Sequence, residues 1–413
     1  MKTLKKTVIM VVLTLICIII FNNYNHNKSI KKLEQAGKEE TTADQTAEEE
    51  EEISNYVTFL ALGQNLMNDS VINSGKQEDG SYNYDYIFNG ITGYLQEADL
   101  SALCQGSVIG GNSLGISGYP QFNAPEELCD AVANAGIDTV AMANVRVNNL
   151  GSAAVSTCLS VWHSKAPEVQ VLGIHDSAEE NHYTIIEKNG LKIAFLDYTA
   201  VINTAISNEE SYKIDFFGNY SSGSADLQTL SDATKADLDA AAKASDFVVV
   251  FASWGLEDTH EISATQERFA KQLTEAGADL IIGNRPNYLQ KVEWVTADNG
   301  NRALCFYSLG NLISSETTPD ALLGGIAKVG IKVENGLTVI DEENTGLIPV
   351  VTQYTYSGSG NEVQVEGAVP FTTYTDEMAA AHGIIAKKGI TFNRDVLQQI
   401  LNGSVDAGFI LHN

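Results

Sequence analysis

The sequence has few basic residues, few prolines and few cysteines, and these shortages exclude several classes of protein. Its 413 residues include 25 Lys and Arg against 53 Asp and Glu, a formal net charge of −28. Nucleic-acid binding is excluded, because it needs clustered Lys and Arg to neutralise phosphates. With only 7 Pro and with 44% hydrophobic residues, the chain is neither collagen-like nor wholly disordered.

The negative charge belongs to the body of the chain and not to one tail. Residues 1–52 contribute only −2, from 7 Lys and 9 acidic residues, so residues 53–413 carry the remaining −26. Such a charge favours solubility and opposes the direct binding of polyanions.

Cysteine is scarce and lacks the spacing of a zinc site. The 5 cysteines form no C-x-x-C pair. Cys17 lies in an apolar segment near the N-terminus, which leaves Cys104, Cys129, Cys158 and Cys305 in the body. In an exported protein these four could form two disulfides, or they could be small buried thiols. The sequence leaves both possibilities open.

The first 52 residues predict a membrane anchor followed by a tether. Residues 1–6 are basic, and residues 7–21 contain no charge. This run is shorter than the roughly 17–25 residues of a typical spanning helix, but it suits a signal sequence. No cleavage pattern follows, so we expect a single-pass signal anchor in the cell membrane with the rest of the chain outside. Cleavage and secretion is the alternative. Residues 22–52 are polar and end in consecutive glutamates, which predicts a disordered acidic linker.

Residues 53–350 alternate short apolar runs with helical stretches, the pattern of an α/β fold. Strands are predicted at Val57–Leu62, Leu100–Leu103, Thr139–Met142, Val169–Leu172, Tyr183–Glu187, Lys192–Tyr198, Phe247–Phe251, Leu280–Ile282 and Leu304–Ser308. Helices are predicted at Glu126–Ala135, Ala153–Trp162, Ser231–Ala244 and Thr265–Ala276. A hairpin turns at Asn335-Gly336. Residues 351–413 predict a C-terminal extension packed on the domain, with helices near Asp376–Lys387 and Arg394–Leu401.

Ordered blocks of sequence resemble the CapA-like family of bacterial capsule and poly-γ-glutamate synthesis proteins. The matching blocks are Gly63–Leu66, Gly118–Pro125, Ala135–Asp138, Ser253–Glu257, Ala276–Asp279, Gly283–Glu293 and Tyr307–Asn311. The resemblance implies a layered α-β-β-α sandwich similar to the calcineurin-like metallophosphatases. It also implies a role at the outer face of the membrane and a cleft at the strand ends. The residues expected to frame this cleft are Tyr119, Phe122, Asn123, Trp254, Glu257, Pro286 and Asn311.

The chain departs from the family at the positions that would hold metal ions. Where the family carries Asp, Asn, Glu or His, this sequence has Gln64, Asn68, Cys104, Gly106, Val145, Arg146, Asn149, Ser253, Arg285 and Asn287. Amides offer only neutral oxygens, and Arg is a fixed cation that repels metal. We therefore expect no metal and no other cofactor at these positions, and no intact catalytic set. The histidines of the body (His163, His175, His182, His260, His382 and His412) show no mutual ligand spacing.

These substitutions favour a pseudoenzyme that serves envelope-polymer synthesis as an accessory or binding protein, with other proteins of that synthesis as partners. No oligomeric state is indicated. One alternative is an active hydrolase or transferase with relocated groups, such as Glu257 acting with Asp69. Another is a metal-free anion site at Arg146 and Arg285, since Arg binds phosphate or carboxylate in a bidentate way. Each Arg could equally pair with one of the body's many carboxylates.

Overall fold

The computed structural model describes residues 55–356, 362–386 and 389–412. Residues 53–413 form one compact unit. The predicted signal anchor at 7–21 and the linker at 22–52 lie outside the described residues. Within the described residues, no helix combines the length and the apolar character needed to cross a membrane.

The first sheet has eight strands and combines a parallel half with an antiparallel half. The parallel strands are β1 (Tyr56–Asn65), β2 (Leu100–Gln105), β3 (Thr139–Ala141) and β4 (Gln170–Leu172). The antiparallel strands β14 (Leu323–Glu334), β15 (Leu337–Tyr356) and β16 (Val363–Pro370) continue from β1 in the order β1-β14-β15-β16. The short β13 (Asn311–Ile313) pairs in parallel with the end of β1 and places Asn311 beside Gln64.

The second sheet has six strands, of which the central four are parallel. These are β6 (Leu191–Thr199), β9 (Phe247–Ser253), β10 (Leu280–Asn284) and β12 (Arg302–Phe306). The outer strands β5 (Thr184–Lys188) and β11 (Val292–Thr296) run antiparallel to their neighbours. A separate two-stranded ribbon joins β7 (Tyr220–Ser221) to β8 (Ser224–Ala225).

Helices cover the outer faces of both sheets. Their bounds, in chain order, are α1 (Asp69–Ser74), α2 (Thr92–Glu97), α3 (Glu127–Asn134), α4 (Ser152–Lys165), α5 (Asp232–Ala244), α6 (Ala264–Ala276), α7 (Pro319–Leu322), α8 (Asp376–Ala381) and α9 (Arg394–Ser404). Helix α6 begins with a capping box in which Ser263 and Gln266 exchange side-chain and backbone hydrogen bonds, as its sequence favours.

Two apolar clusters hold the layers together. One contains inward-facing residues of both sheets, and in it the Phe59 and Phe195 rings lie 5.5 Å apart between centroids. The other lies between the second sheet and helices α5 and α6, where Leu238 and Phe269 are fully buried. The layered α-β-β-α arrangement expected from the sequence is therefore confirmed.

The C-terminal segment is continuous with the first sheet. Strand β15 passes through residue 350 without a break, and β16 is the edge strand beside it. The chain then returns, and the Leu411 N–H donates to the Leu347 carbonyl at 2.8 Å. The predicted boundary at residue 350 thus falls inside a strand, because β15 continues across the change in composition and is buried from Thr345 to Tyr354. The turn before β15 uses Asn335 and Gly336 in left-handed conformations, as the Asn-Gly pair predicts.

The four cysteines of the body are buried free thiols. Burial raises the pKa of all four thiols above the ordinary cysteine value. Of the two possibilities that the sequence left open, the structure has buried thiols without bridges between them.

Candidate functional site

The predicted site positions meet where parallel strands of both sheets end. Gln64 lies near the end of β1 and Ser253 ends β9, while Arg146 and Arg285 follow β3 and β10. Loops at these strand ends enclose a cleft of about 740 Å³. Its lining residues are Leu66, Tyr119, Pro120, Gln121, Phe122, Arg146, Asn149, Asn203, Thr204, Glu257, Asp258, Asn287 and Glu316. Carboxyl ends of parallel strands are where sites assemble in such sheets.

A network of side-chain amides fills the base of the cleft. The Gln64 Nε2 atom donates to Asn287 Oδ1 at 3.2 Å and to Asn311 Oδ1 at 3.3 Å. Asn287 Nδ2 donates to Asp258 Oδ1 at 3.0 Å, and Asn311 Nδ2 donates to the Ala321 carbonyl at 3.1 Å. Gln64 and Asn311 are almost fully buried. Their mutual hydrogen bond satisfies the buried Gln64 Nε2 and Asn311 Oδ1 atoms, which would otherwise destabilise the fold. The buried Gln64 Oε1 atom has no hydrogen-bond partner among the described residues.

Gly106 leaves the space that the Gln64 side chain occupies. A Cβ atom at position 106 would lie 2.5 Å from Gln64 Cγ and 3.1 Å from the Asn65 carbonyl oxygen. No side chain at 106 fits beside Gln64 in this position. By the resemblance, Gly106 replaces an acid and Gln64 replaces an aspartate, so these two substitutions are sterically coupled.

Arg146 is the buried cation of the cleft. Its side chain is 7% exposed, and its Nη2 atom pairs with Glu257 Oε1 at 3.2 Å. The guanidinium also stacks over the Phe122 ring at 4.8 Å from the centroid. Burial lowers the pKa of Arg146, and the Glu257 carboxylate offsets part of this effect. Among the described residues, the buried Nη1 atom has no hydrogen-bond partner.

The loop after β10 has a strained backbone at both predicted site residues. Arg285 has φ of 90° and Asn287 has φ of 63°, values that non-glycine residues rarely adopt. Arg285 Nη1 donates to the Gly255 carbonyl, and the Asp258 N–H donates to the Pro286 carbonyl at 2.9 Å. These hydrogen bonds join the loops after β9 and β10. Burial lowers the pKa of Arg285.

Carboxylates outnumber cations in the lining of the cleft. Glu257, Asp258 and Glu316 lie there, against Arg146 as the lining residue with a positive charge. Glu316 accepts a hydrogen bond from Asn68 Nδ2 at 3.0 Å. Asp258 and Glu316 were not predicted from the sequence. Asp258 directly follows Glu257, the last residue of a matching block, so its position in the sequence could have identified it. Glu316 lies three residues after β13, and the pairing of β13 with β1 brings it to the cleft.

The remaining predicted residues have structural contacts around the cleft. Asn149 Nδ2 donates to the Pro120 and Gln121 carbonyls, and Asn123 bridges Gly110, Gly111 and Gly115. Trp254 is buried and donates to the Tyr307 carbonyl at 2.9 Å. Cys104, Val145 and Ser253 are buried, and the Ser253 hydroxyl has no partner among the described residues.

The suggested acid–base pair is not assembled by a described contact. Asp69 accepts the Gly118 N–H at 2.7 Å, while Glu257 pairs with Arg146. Each carboxylate has its own partner, and no described hydrogen bond joins them.

The donor set at the base of the cleft does not fit the metal ions that the family resemblance implies. Gln64 directs N–H groups, not lone pairs, at its neighbours Asn287 and Asn311. By the resemblance, the guanidinium groups of Arg146 and Arg285 stand where the family has imidazoles. Hard and borderline cations bind carboxylates and imidazoles. Within the described part of the chain, the three-residue group suited to a metal is His175, His182 and Asp215, none of which lines this cleft.

The family described as "Bacterial capsule synthesis protein PGA_cap" matches residues 58–316. The chain belongs to this family. The family predicted from the sequence is therefore confirmed. A capsule biosynthesis protein CapA of Bacillus anthracis is 25% identical over 291 residues, which cover 69% of this chain and 66% of that protein. A PGA biosynthesis protein CapA of Bacillus subtilis (strain 168) is 37% identical over 73 residues, 18% of each chain.

The chain thus spans just under two thirds of the first relative and a smaller part of the second. Solved structures similar to it include a calcineurin-like phosphoesterase, YfkN, from Bacillus subtilis, with 11% identity and a TM-score of 0.37 over 85% of this chain and 96% of that chain. The sulfate thiohydrolase SoxB of Thermus thermophilus has 10% identity and a TM-score of 0.37 over 87% of this chain and 61% of that chain.

Proposed function

We propose that this chain is a non-catalytic member of the CapA family. In this proposal it is anchored at the outer face of the cell membrane and acts as an accessory or binding protein in the synthesis of an envelope polymer such as poly-γ-glutamate. The family membership and the names of both relatives support the polymer class. The basic start and the uncharged run at 7–21 support the anchor.

The observation that carries the proposal is the packing of Gln64 against Gly106. Gln64 occupies the volume that an acidic side chain at position 106 would need, and its amide is held by Asn287 and Asn311. An acidic side chain restored at position 106 alone would therefore clash with Gln64. An aspartate restored at position 64 alone would break the hydrogen bonds to Asn287 and Asn311. The substitutions support each other, as expected for a cleft that has lost metal chemistry and kept its stability.

Charge in the cleft favours contact with a protein segment over binding of a polyanion. Glu257, Asp258 and Glu316 line it, and the Arg146 charge is already paired. Two large apolar side chains are exposed nearby: Tyr119 is 79% exposed in the lining, and Leu256, which precedes Glu257, is 63% exposed. Exposed aromatic and aliphatic side chains beside a polar rim are typical anchors of protein interfaces.

Complementation of a strain that lacks this chain tests the proposal. Three full-length versions are compared: wild type, Q64A and the double variant Y119A/L256A. Surface polymer is extracted from washed cells, freed of protein with protease, and measured as the glutamate that acid hydrolysis of the purified polymer releases. We expect wild type and Q64A to restore polymer to similar levels and Y119A/L256A to restore less. Phosphodiester hydrolysis by the purified wild-type chain that disappears in E257Q or D69N would instead establish the active-hydrolase alternative.

A second candidate is a metal-free site for a small anion. It is favoured by the buried Arg146 Nη1 and Arg285 Nε atoms, which lack hydrogen-bond partners among the described residues. Inorganic phosphate should then raise the melting temperature of the wild-type chain but not of R146A/R285A. Equal melting temperatures with and without phosphate would remove this candidate.

A further inference from the structure

Two histidines and an aspartate meet at a second place in the fold, away from the cleft. His175 Nε2 lies 2.8 Å from Asp215 Oδ2, and His182 Nδ1 lies 2.5 Å from Asp215 Oδ1. The two imidazole rings are 4.3 Å apart between centroids. One ligand atom from each residue lies within 4.8 Å of the others. The histidines show no mutual ligand spacing along the chain, but the fold brings His175 and His182 together at Asp215.

Backbone hydrogen bonds hold the three residues in place. His175 follows β4 and its N–H donates to the Lys213 carbonyl at 3.0 Å, while the Asp215 N–H donates to the Gly173 carbonyl at 3.0 Å. The Thr199 N–H at the end of β6 donates to the Asp215 carbonyl at 2.9 Å. The carboxylate and the first imidazole therefore belong to one hydrogen-bonded framework. Preorganised ligands of this kind need little rearrangement when an ion binds.

The surroundings of the cluster suit a bound cation. Asp215 is 5% exposed and His175 is 6% exposed, so water is largely excluded from two of the three ligands. The second ring nitrogen of His175, Nδ1, faces Glu180 Oε2 at 3.5 Å. A carboxylate on the far nitrogen of a histidine is the usual partner that orients a metal-binding imidazole.

The cluster also opens on one side into a small cavity. His182 and Asp215 line a cavity of about 380 Å³ together with Asp237 and Tyr198. The buried Tyr198 hydroxyl has no hydrogen-bond partner among the described residues. An unpartnered hydroxyl beside a carboxylate indicates a place for water or another small ligand. The Asp237 carboxylate adds negative charge on the same side.

We propose that His175, His182 and Asp215 form a binding site for Zn²⁺, with Glu180 as the supporting carboxylate and with the remaining coordination position open to the cavity. Two imidazoles and one carboxylate are ligands that Zn²⁺ prefers, at about 2.0–2.1 Å from a tetrahedral ion. Such an ion would hold its ligand atoms roughly 3.3–3.4 Å from one another. The observed contacts of 2.8 and 2.5 Å would therefore lengthen by less than about 1 Å when the ion replaces the hydrogen bonds. Carboxylate and carbonyl oxygens, the ligands that Mg²⁺ and Ca²⁺ prefer, are in the minority here.

The competing interpretation is a metal-free hydrogen-bonded group in which one carboxylate accepts from two imidazoles. Burial raises the pKa of Asp215, but hydrogen bonds from His175 and His182 outweigh it and hold this pKa below its usual range. A bound ion would replace these hydrogen bonds, because His175 Nε2 and His182 Nδ1 would bind it in place of donating to Asp215. A binding measurement separates the two cases.

Zinc titration of the purified full-length chain, kept in detergent and stripped with a chelator, tests the proposal. Binding is measured by competition with a chromogenic chelator for wild type, H175A, H182A, E180Q and the control H163A. His163 is an exposed histidine of α4 outside the cluster. We expect H163A to bind like wild type and E180Q to bind about 10–100-fold more weakly. H175A and H182A should lose more affinity than E180Q.

A second readout covers variants that fold poorly. X-ray absorption at the zinc edge of the wild-type complex should show two imidazole ligands, and zinc should raise the melting temperature of wild type and H163A but not of D215N. Wild-type chain that fails to take up zinc, or that binds it as tightly after H175A or H182A substitution, would overturn the proposal. Neither result bears on the cleft, whose residues are separate.

Discussion

Arg146 Nη2 lies 3.2 Å from Glu257 Oε1, and this ion pair joins the loop after β3 in the first sheet to the loop after β9 in the second. The two residues are 111 positions apart in the chain. Because the arginine is 7% exposed and the glutamate 41%, the pair is asymmetric. The buried guanidinium of Arg146 therefore carries most of the desolvation cost. The attraction of the more exposed Glu257 carboxylate offsets part of this cost.

Removing the carboxylate should leave a buried charge without its partner. We expect E257Q to lower the free energy of unfolding by about 1–3 kcal/mol, less than for a fully buried pair because Glu257 is half-exposed. Urea unfolding at pH 7 measures this. The matched control is E261Q, on an exposed glutamate four residues along the same loop. Equal stability of the two variants would show that the Arg146–Glu257 pair contributes nothing.

The steric coupling of Gly106 and Gln64 predicts a non-additive double mutant. We expect G106A alone to destabilise the chain by about 1–3 kcal/mol, because its Cβ would lie 2.5 Å from Gln64 Cγ. The second change, Q64A, removes that Cγ atom. The free energy of unfolding of the G106A/Q64A double variant should therefore exceed the value predicted by adding the two single effects, by about 0.5–3 kcal/mol.

A matched glycine provides the control for this cycle. Gly93 lies in α2, and an added Cβ there would meet no atom within 4 Å. We expect G93A to be neutral or to stabilise the chain by up to about 1 kcal/mol. If G106A and G93A change the free energy of unfolding by the same amount in urea, the Gln64 side chain does not fill the space beside Gly106.

His382 predicts a specific loss of stability in acid. Its Nε2 atom hydrogen-bonds the Thr352 carbonyl at 3.0 Å, and its Nδ1 accepts the Ile384 N–H at 3.0 Å, so the ring is held neutral. Burial lowers its pKa to about 4. The unfolded chain takes up this proton near pH 6.5, so stability is fully present above that pH and falls as the pH drops towards 4.

The pH dependence is measured as the difference between wild type and H382Q, with H412Q as the control. Between pH 7 and pH 4 wild type should lose up to about 3 kcal/mol more than H382Q. H412Q alters an exposed histidine and should follow wild type. Parallel pH curves for wild type and H382Q would mean that the pKa of His382 is the same in the folded and the unfolded chain.

The sequence predicted the strands because apolar runs bounded by polar turns are local signals. Every predicted strand overlaps an observed one, and the parallel strands carry the site positions to one edge as expected. β7, β8 and β11 were not predicted; they are two, two and five residues long. β13 and β16 were also missed: the first is three residues long, and the second lies in the stretch rich in polar residues after residue 356. Their pairing is decided by the register of distant strands, which no local pattern contains.

The contacts of the site depended on more than local pattern. The family resemblance located Gln64 and Gly106, but their steric coupling appears only when β1 and the loop after β2 lie side by side. The histidine cluster was hidden because His175 and Asp215 are 40 residues apart and lie in two loops. The backbone bridge between residues 174 and 214 brings those loops together.

The metal content of a variant that lacks the histidine cluster tests the central claim most directly. The purified full-length H175A/H182A chain is incubated with Mn²⁺ and Zn²⁺, dialysed and analysed for bound metal, beside wild type. The account predicts that this variant retains no manganese or zinc, because the cleft offers amides and arginines where ligands would be needed. Stoichiometric metal in the variant, lost again when Asp258 or Glu316 is replaced, would contradict it and establish an ion-binding cleft.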